Sequence, residues 1–233
     1  MFNILRPLIF KFSPEVAHSL AIKALKLNNI PYTKPKDNRI LETNFCEKKL
    51  PSPIGVAAGF DKNAEVYNPL FNLGFGFVEV GTITPKPQFG NPKPRVFRLE
   101  EDEALINRLG FNNSGSDEIS KRIKENNKKG FLGINIGPNK DSTNRVEDYL
   151  ICFRKFYNLA DYITINISSP NTENLRDFHN QDELSSLIDK LKNEKKKLNS
   201  NIPLAIKVSP DLNDDQINDC LLYTSPSPRD LSE

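Results

Sequence analysis

Little in this chain invites a disulfide, a metal or a membrane-spanning helix. Three cysteines, Cys46, Cys152 and Cys220, are too few and too scattered for a disulfide framework or a zinc site, so a reducing compartment is expected. Cys152, between Ile151 and Phe153, reads as a core residue. The two histidines, His18 and His179, lie far apart and read as ordinary side chains rather than ligands. No apolar run reaches the ~18 residues a membrane span needs, and the first residues show no signal-peptide cleavage pattern. Lys and Arg number 32 against 30 Asp and Glu, and a net charge of +2 gives no broad attraction to nucleic acid. The basic run "KNEKKKLN" near residue 195 ends an amphipathic helix and reads as a solvated face. Neither a GxGxxG opening a helix after a strand nor a GxxxxGK[ST] is present, which weakens the dinucleotide and P-loop readings.

What remains suits a soluble globular protein with one large domain: 37% hydrophobic and 27% charged over 233 residues. Residues 1 to 27 stand apart. "FNILRPLIFKF" is apolar and basic, and "SPEVAHSLAIKALKL" predicts a helix with Ser13 as N-cap and Pro14 in its first turn. Val16, Ala17, Leu20, Ala21, Ala24 and Leu27 recur at helical spacing, and Arg6, Lys11, Lys23 and Lys26 stand against the single acid Glu15. Pattern alone leaves two readings open, a helix packed on the domain or an anchor lying on an anionic membrane surface.

From residue 53 a unit recurs in which a short apolar strand ends in small or polar residues and a helical pattern follows. The strands read "PIGVAAG", "FGFVEVGT", "GFLGINIG", "DYITINISS" and "PLAIKVSP", with helices at roughly 64 to 73, 116 to 126, 145 to 159 and 182 to 198. Leu184, Leu187, Ile188 and Leu191 mark the buried side of the last. Strands alternating with helices predict a parallel α/β sheet, doubly wound or closed as a (β/α)8 TIM barrel. In either, the carboxyl ends of the strands emerge on one face, where ligands bind. Lys62, Thr82, Asn135, Asn166, Ser169 and Lys207 all stand at such ends. The loop "NRLGFNNSG", residues 107 to 115, offers amides to a small planar ligand or is turn chemistry, and "TPKPQFGNPKPRVFRL" reads as a stiff excursion over the same face.

The motifs "GVAAGFDKNAE", "VEVGTITPKPQFGNPKPRVFRL", "LINRLGFNNSG", "LGINIGPNKD", "DYLICFRKFYNLADYITINISSPNT" and "LAIKVSPDL" resemble, in order and spacing, dihydroorotate dehydrogenase of the membrane-associated, quinone-reducing class. The resemblance runs from about residue 4 to about 219. It implies a TIM barrel that binds flavin mononucleotide (FMN) through Ala58, Gly59, Phe60, Asp61, Lys62, Thr82, Asn135, Asn166 and Lys207. It implies dihydroorotate and orotate as ligands of Lys62, Asn107, Arg108, Leu109, Gly110, Phe111, Asn166 and Asn171, with Ser169 as catalytic base. Oxidising dihydroorotate removes a proton from one ring carbon and a hydride from its neighbour, so with a flavin present the protein supplies the base, the orientation and the charge. A ring of amides suits the dihydropyrimidine, Lys62 its carboxylate, and Lys207 negative charge on a reduced flavin. Serine is a weak base and must hand its proton onward. Soluble members of the family place cysteine at the position of Ser169 and lack the N-terminal extension. Both features therefore point to the quinone-dependent class, with residues 1–40 on the cytoplasmic face of a bacterial inner membrane as a peripheral anchor and quinone path, and no nucleic-acid partner. Rival readings are another FMN-dependent barrel oxidoreductase and an inactive, membrane-associating fragment.

The chain departs from the family at its end. A complete barrel takes ~250 residues, and only five strands are legible over residues 41–219. The remainder would carry the phosphate-cradling glycines and a further Asn-Thr pair. "CLLYTSPSPRDLSE", residues 220–233, resembles the translation of a sequencing-library adapter, so a C-terminal truncation with a non-native tail is expected. An open sheet edge and exposed barrel interior favour aggregation. The 233-residue polypeptide is therefore expected to retain little flavin and no turnover, measured as flavin absorbance after gel filtration and as dihydroorotate-dependent reduction of a quinone analogue.

Overall fold

Two helices, α1 (Phe2–Ile9) and α2 (Pro14–Lys26), open the computed structural model, which describes residues 2–27, 39–171, 175–179 and 181–224. A hairpin of β1 (Thr43–Phe45) and β2 (Lys48–Leu50) follows, then β3 (Gly55–Val56), α3 (Tyr67–Asn72) and β4 (Phe77–Ile83). A second hairpin, β5 (Val96–Leu99) and β6 (Ala104–Asn107), leads into α4 (Gly115–Glu125) and β7 (Phe131–Ile136). The strand-helix alternation continues through α5 (Arg145–Phe156), β8 (Tyr162–Asn166), α6 (Gln181–Lys197), β9 (Leu204–Lys207) and α7 (Asp214–Thr224).

The five expected strands form one parallel sheet in the order β3-β4-β7-β8-β9, each paired with the next strand of the series in the chain. That sequential order is the one a (β/α)8 barrel uses. Side chains alternate across it. Val78, Val80, Leu132, Ile134, Ile136, Ile163 and Ile165 are fully buried beneath the helices, which is where the β-branched residues of these runs have to go. The opposite face is the barrel interior, and it is layered. Phe77, Phe131 and Tyr162, the first residues of three strands, form the lowest layer, and Phe45 of the β1–β2 hairpin closes it from below. Phe45 lies 6.0 Å from the Phe77 ring, 5.7 Å from Phe131 and 5.6 Å from Tyr162. Gly133 leaves room for this layer, because a Cβ there would stand 2.2 Å from Cζ of Tyr162.

Differences from the expected elements have local causes. The proline-rich excursion holds a strand, since Val96–Leu99 pairs antiparallel with Ala104–Asn107 once its four prolines have passed. In α2, Ile22 and Leu25 are the buried residues, whereas Val16, Leu20 and Leu27 of the expected stripe are 46–69% exposed. At 100° per residue the two sets fall on opposite sides of the helix. Ser13 takes the N-cap position without a side-chain hydrogen bond, and Pro14 stands in the first turn. Leu184, Leu187, Ile188 and Leu191 of α6 are buried as expected, and Cys152 is fully buried. Helix α7 continues to Thr224 with Cys220 buried, while residues 225–233 of the expected tail lie outside the described residues. Among the described residues no helix is long and apolar enough to cross a membrane.

Asp161, at the start of β8, ties the bottom of the sheet together. Its carboxylate accepts from Lys48 Nζ (2.6 Å), Lys128 Nζ (2.6 Å) and the Leu132 amide (2.8 Å). Burial by itself would raise this carboxyl, but the three donors outweigh it and hold Asp161 below the usual carboxylate range. A native value below the unfolded one, near 4, gives stability that is present above about pH 4 and lost as the pH falls through the native value. Replacing Asp161 by Asn is expected to cost about 1–3 kcal/mol at pH 7. The gap to the unsubstituted protein should narrow in acid, measured by urea denaturation at both pH values.

Candidate active site

At the carboxyl ends of β4, β7 and β8 three small polar side chains meet. Thr82 Oγ1 donates to Asn135 Oδ1 (2.7 Å), and Asn166 Nδ2 donates to both Thr82 Oγ1 (2.9 Å) and Asn135 Oδ1 (3.1 Å). All three are buried. Register places them: Asn135 pairs with Thr164 and Asn166 with Lys207, so the inward-facing positions of neighbouring strands rise to the same rim. Lys207 joins through a residue the sequence did not single out. Ser168 Oγ donates to Asn166 Oδ1 (2.9 Å) and accepts from Lys207 Nζ (2.8 Å). The signal for Ser168 was present in "NISSPN", but which of its two serines turns inward depends on the bend after β8.

The loop after β3 lies against the end of β4. The Gly59 amide donates to the Gly81 carbonyl (2.9 Å) and the Gly81 amide to the Asp61 carbonyl (3.1 Å). Gly59 adopts φ +111°, and a Cβ on it would meet nothing within 4 Å, so this backbone faces open space beside the rim. Asp61, expected among the flavin contacts, is buried, and its carboxylate accepts the amides of Glu65 and Val66, both at 2.7 Å. Burial raises its carboxyl in spite of those donors. Its side chain secures the turn into α3. Lys62 Nζ donates to the Gly59 carbonyl, and burial, with Arg95 close by, lowers its ammonium below the ordinary lysine value.

The amide-rich loop is placed by Asn113. This buried side chain donates to Thr84 Oγ1 and the Phe111 carbonyl, both at 2.8 Å, and accepts the Gly115 amide at 2.8 Å and the Thr84 amide at 3.3 Å. The Gly110 carbonyl accepts from Gln88 Nε2 (2.9 Å). The Phe111 ring reaches the rim, for a Cβ on Gly137 would sit 2.8 Å from Thr82 Cγ2 and 3.0 Å from that ring. Asn107 and Leu109 share a cavity of about 730 Å³ with Gly59, Phe60 and Lys62, bounded by α2 and the β5–β6 hairpin. Arg108 turns away. Its guanidinium donates to the Pro94 carbonyl (2.9 Å) and lies 5.9 Å from the Phe97 ring. Ser169 and Asn171 follow β8, and the Asn171 amide donates to Ser169 Oγ (3.2 Å).

The hairpin and α2 are clamped together. Glu15 Oε1 accepts from Arg95 Nε (3.0 Å) and Nη2 (2.9 Å), Arg98 Nη1 donates to the Phe12 carbonyl (2.8 Å), and His18 Nε2 donates to the Phe60 carbonyl (2.7 Å).

Taken together, the rim offers hydrogen-bond donors and acceptors at fixed positions between two lysines, beside a glycine-lined opening. That suits a flat heterocycle with several carbonyls and a tendency to carry negative charge, and the residues present therefore fit a flavin. Among the described residues there is no cluster suited to a metal ion.

Comparison with known proteins gives the family. A sequence model described as dihydroorotate dehydrogenase matches residues 40–225. The chain belongs to the dihydroorotate dehydrogenase family. It is 47% identical over 229 residues to a protein of Nitrosomonas europaea and 49% identical over 218 residues to one of Bartonella henselae, both named dihydroorotate dehydrogenase (quinone). These alignments cover 93% and 92% of the chain but 66% and 60% of those relatives. A crystal structure of the Eimeria tenella dihydroorotate dehydrogenase in complex with ferulenol superposes with a TM-score of 0.85 at 39% identity, covering 91% of this chain and 64% of that one. The chain thus spans about two thirds of the length of these family members, and the described sheet is a five-stranded part of their TIM barrel.

Asn113 gives the site a direct test. Truncation to Ala strands the Thr84 and Gly115 amides and the Phe111 carbonyl, so a loss of about 1–3 kcal/mol is expected. Amide hydrogen exchange should accelerate at Thr84 and Gly115 while β7 and β8 keep their protection.

Proposed function

We propose that the full-length protein oxidises (S)-dihydroorotate to orotate, using FMN and a membrane quinone as the terminal electron acceptor, in the synthesis of pyrimidine nucleotides. The observation that carries this reading is the joined rim of Thr82, Asn135, Asn166 and Lys207, assembled from four strands. Relatives named for the quinone-dependent reaction align across that rim.

In this reading the loop from Ala58 to Lys62, with Thr82, Asn135, Asn166 and Lys207, holds the flavin. When bound, FMN supplies the two-electron acceptor that no side chain here provides. Lys62 balances the carboxylate of the dihydropyrimidine, and Asn107, Leu109, Gly110, Phe111, Asn166 and Asn171 orient its ring. Arg108 contributes backbone alone, since its side chain turns to Pro94 and Phe97. Ser169 Oγ takes the proton from the ring carbon. It follows β8, half-buried and held by the Asn171 amide, with no charged hydrogen-bond partner among the described residues to raise its basicity. The proton must therefore pass on as it arrives.

Membrane association rests on residues 1–27. Leu8, Val16, Leu20 and Leu27 are exposed on α1, α2 and the turn after them, with Arg6, Lys11 and Lys23 in the same segment, while Lys26 turns to Glu65 (2.6 Å). An apolar face edged with basic residues suits the interface of an anionic bilayer. In this reading the 730 Å³ cavity between the barrel-facing side of α2 and Lys62 takes a quinone head group.

Substituting Ser169 by Ala in the full-length gene product is expected to lower turnover about 10²–10⁴-fold with flavin content unchanged. Undiminished oxidation of dihydroorotate by that variant would sink the assignment of the base.

A further inference from the structure

Glu79 is an acid in the middle of an apolar strand, "FVEVGTI", and it points into the barrel directly beneath the rim. Its Oε1 accepts from Asn135 Nδ2 (2.8 Å), and its Oε2 accepts from Tyr162 Oη (2.9 Å) and Thr164 Oγ1 (2.8 Å). No cation pairs with it among the described residues, and its three partners are neutral donors on β7 and β8. Burial, reinforced by the negative charge and hydrogen bond of Glu79, raises the Tyr162 phenol, so this donor keeps its proton.

A carboxylate only accepts, and an ammonium only donates. Glu79 and Lys207 therefore fix the direction of every hydrogen bond between them. Because Glu79 takes the Asn135 NH2, Asn135 Oδ1 must face the rim. There it takes the Thr82 hydroxyl proton and one Asn166 proton. Thr82 Oγ1, having donated, is left to accept the second Asn166 proton. Both protons of Asn166 Nδ2 are thus committed, so Asn166 Oδ1 turns outward to Ser168, whose hydroxyl in turn accepts from Lys207. The chain is polarised from end to end, with its negative terminus at Glu79.

We propose that Glu79 is a positioning residue that sets the amide orientations of Asn135 and Asn166 from inside the barrel, and with them the donor and acceptor pattern shown to a bound ring. The role rests on the reading of the rim as a flavin site. Without the carboxylate, the Asn135 amide can turn over, and Thr82 and Asn166 lose the acceptor that orders them.

The test uses the full-length gene product with 15N-labelled asparagine and the substitution Glu79→Gln, which keeps shape and removes the acceptor-only character. Side-chain amide resonances of Asn135 and Asn166, assigned by their loss in Asn135→Asp and Asn166→Asp, are recorded without ligand. Both are expected to shift in Glu79→Gln, and the Kd for FMN, read by fluorescence quenching, is expected to rise about tenfold. That corresponds to about one hydrogen bond's net worth, ~1.4 kcal/mol. Unmoved resonances, or an unchanged Kd in a protein whose unsubstituted form binds FMN, overturn the proposal. An unsubstituted protein that fails to quench FMN fluorescence counts against the flavin reading instead, because the resonances are read without it. Should Glu79→Gln alone not fold, the double variant Glu79→Gln, Asn135→Asp decides. In it the introduced amide on β4 can donate to the introduced carboxylate on β7 and leave an acceptor facing the rim. Asn166 should then resonate as in the unsubstituted protein, and a displaced Asn166 resonance overturns the proposal.

Discussion

Register between parallel strands is the constraint on which the rest of this structure depends. Glu79 stands opposite Gly133, Asn135 opposite Thr164, and Asn166 opposite Lys207. A shift of one residue in any pair would turn a rim side chain outward beneath the helices and bring an isoleucine into the interior. The outward positions guard against that slip, because Val80, Ile134 and Ile165 are fully buried and would lose their burial together. The hydrophobic effect on one face thus holds the polar chemistry of the other in place.

The interior carries three layers with different chemistry. Aromatic rings fill the lowest, a single acid and its neutral donors the middle, and amides, hydroxyls and an amine the highest. Polarity rises toward the strand ends, where a ligand can satisfy what the protein leaves open. The chain's similarity to longer family members runs through these strands.

Much of this was legible in the sequence, and the rest was hidden for physical reasons. The five strands announce themselves because their outward residues are β-branched and their last residues small and polar. The hairpins do not. β1 and β2 are three residues each, with lysines and an asparagine among them, and β5 lies behind four prolines. Thr82, Asn135, Asn166 and Lys207 could be named from their places at strand ends, and they do come together. Glu79 was passed over because one charge in an apolar run carries no periodic signal, and its meaning appears only when Asn135, Tyr162 and Thr164 are seen around it. The apolar stripe of α2 was read along spacing alone, and contact with the barrel selected Ile22 and Leu25 for burial.

Arg95 gives the N-terminal helices a mechanical connection to the rim. It grips Glu15 on α2 with two nitrogens and, with Nη1, the carbonyls of Phe89 and Asn91 (2.6 and 3.1 Å). The same segment pairs at Gln88 with Asn113, the side chain that seats Phe111. Helix α2 and the amide-rich loop are therefore both fastened to the segment that carries this buried guanidinium. Removing that one side chain would therefore leave α2 and the loop without their common tie.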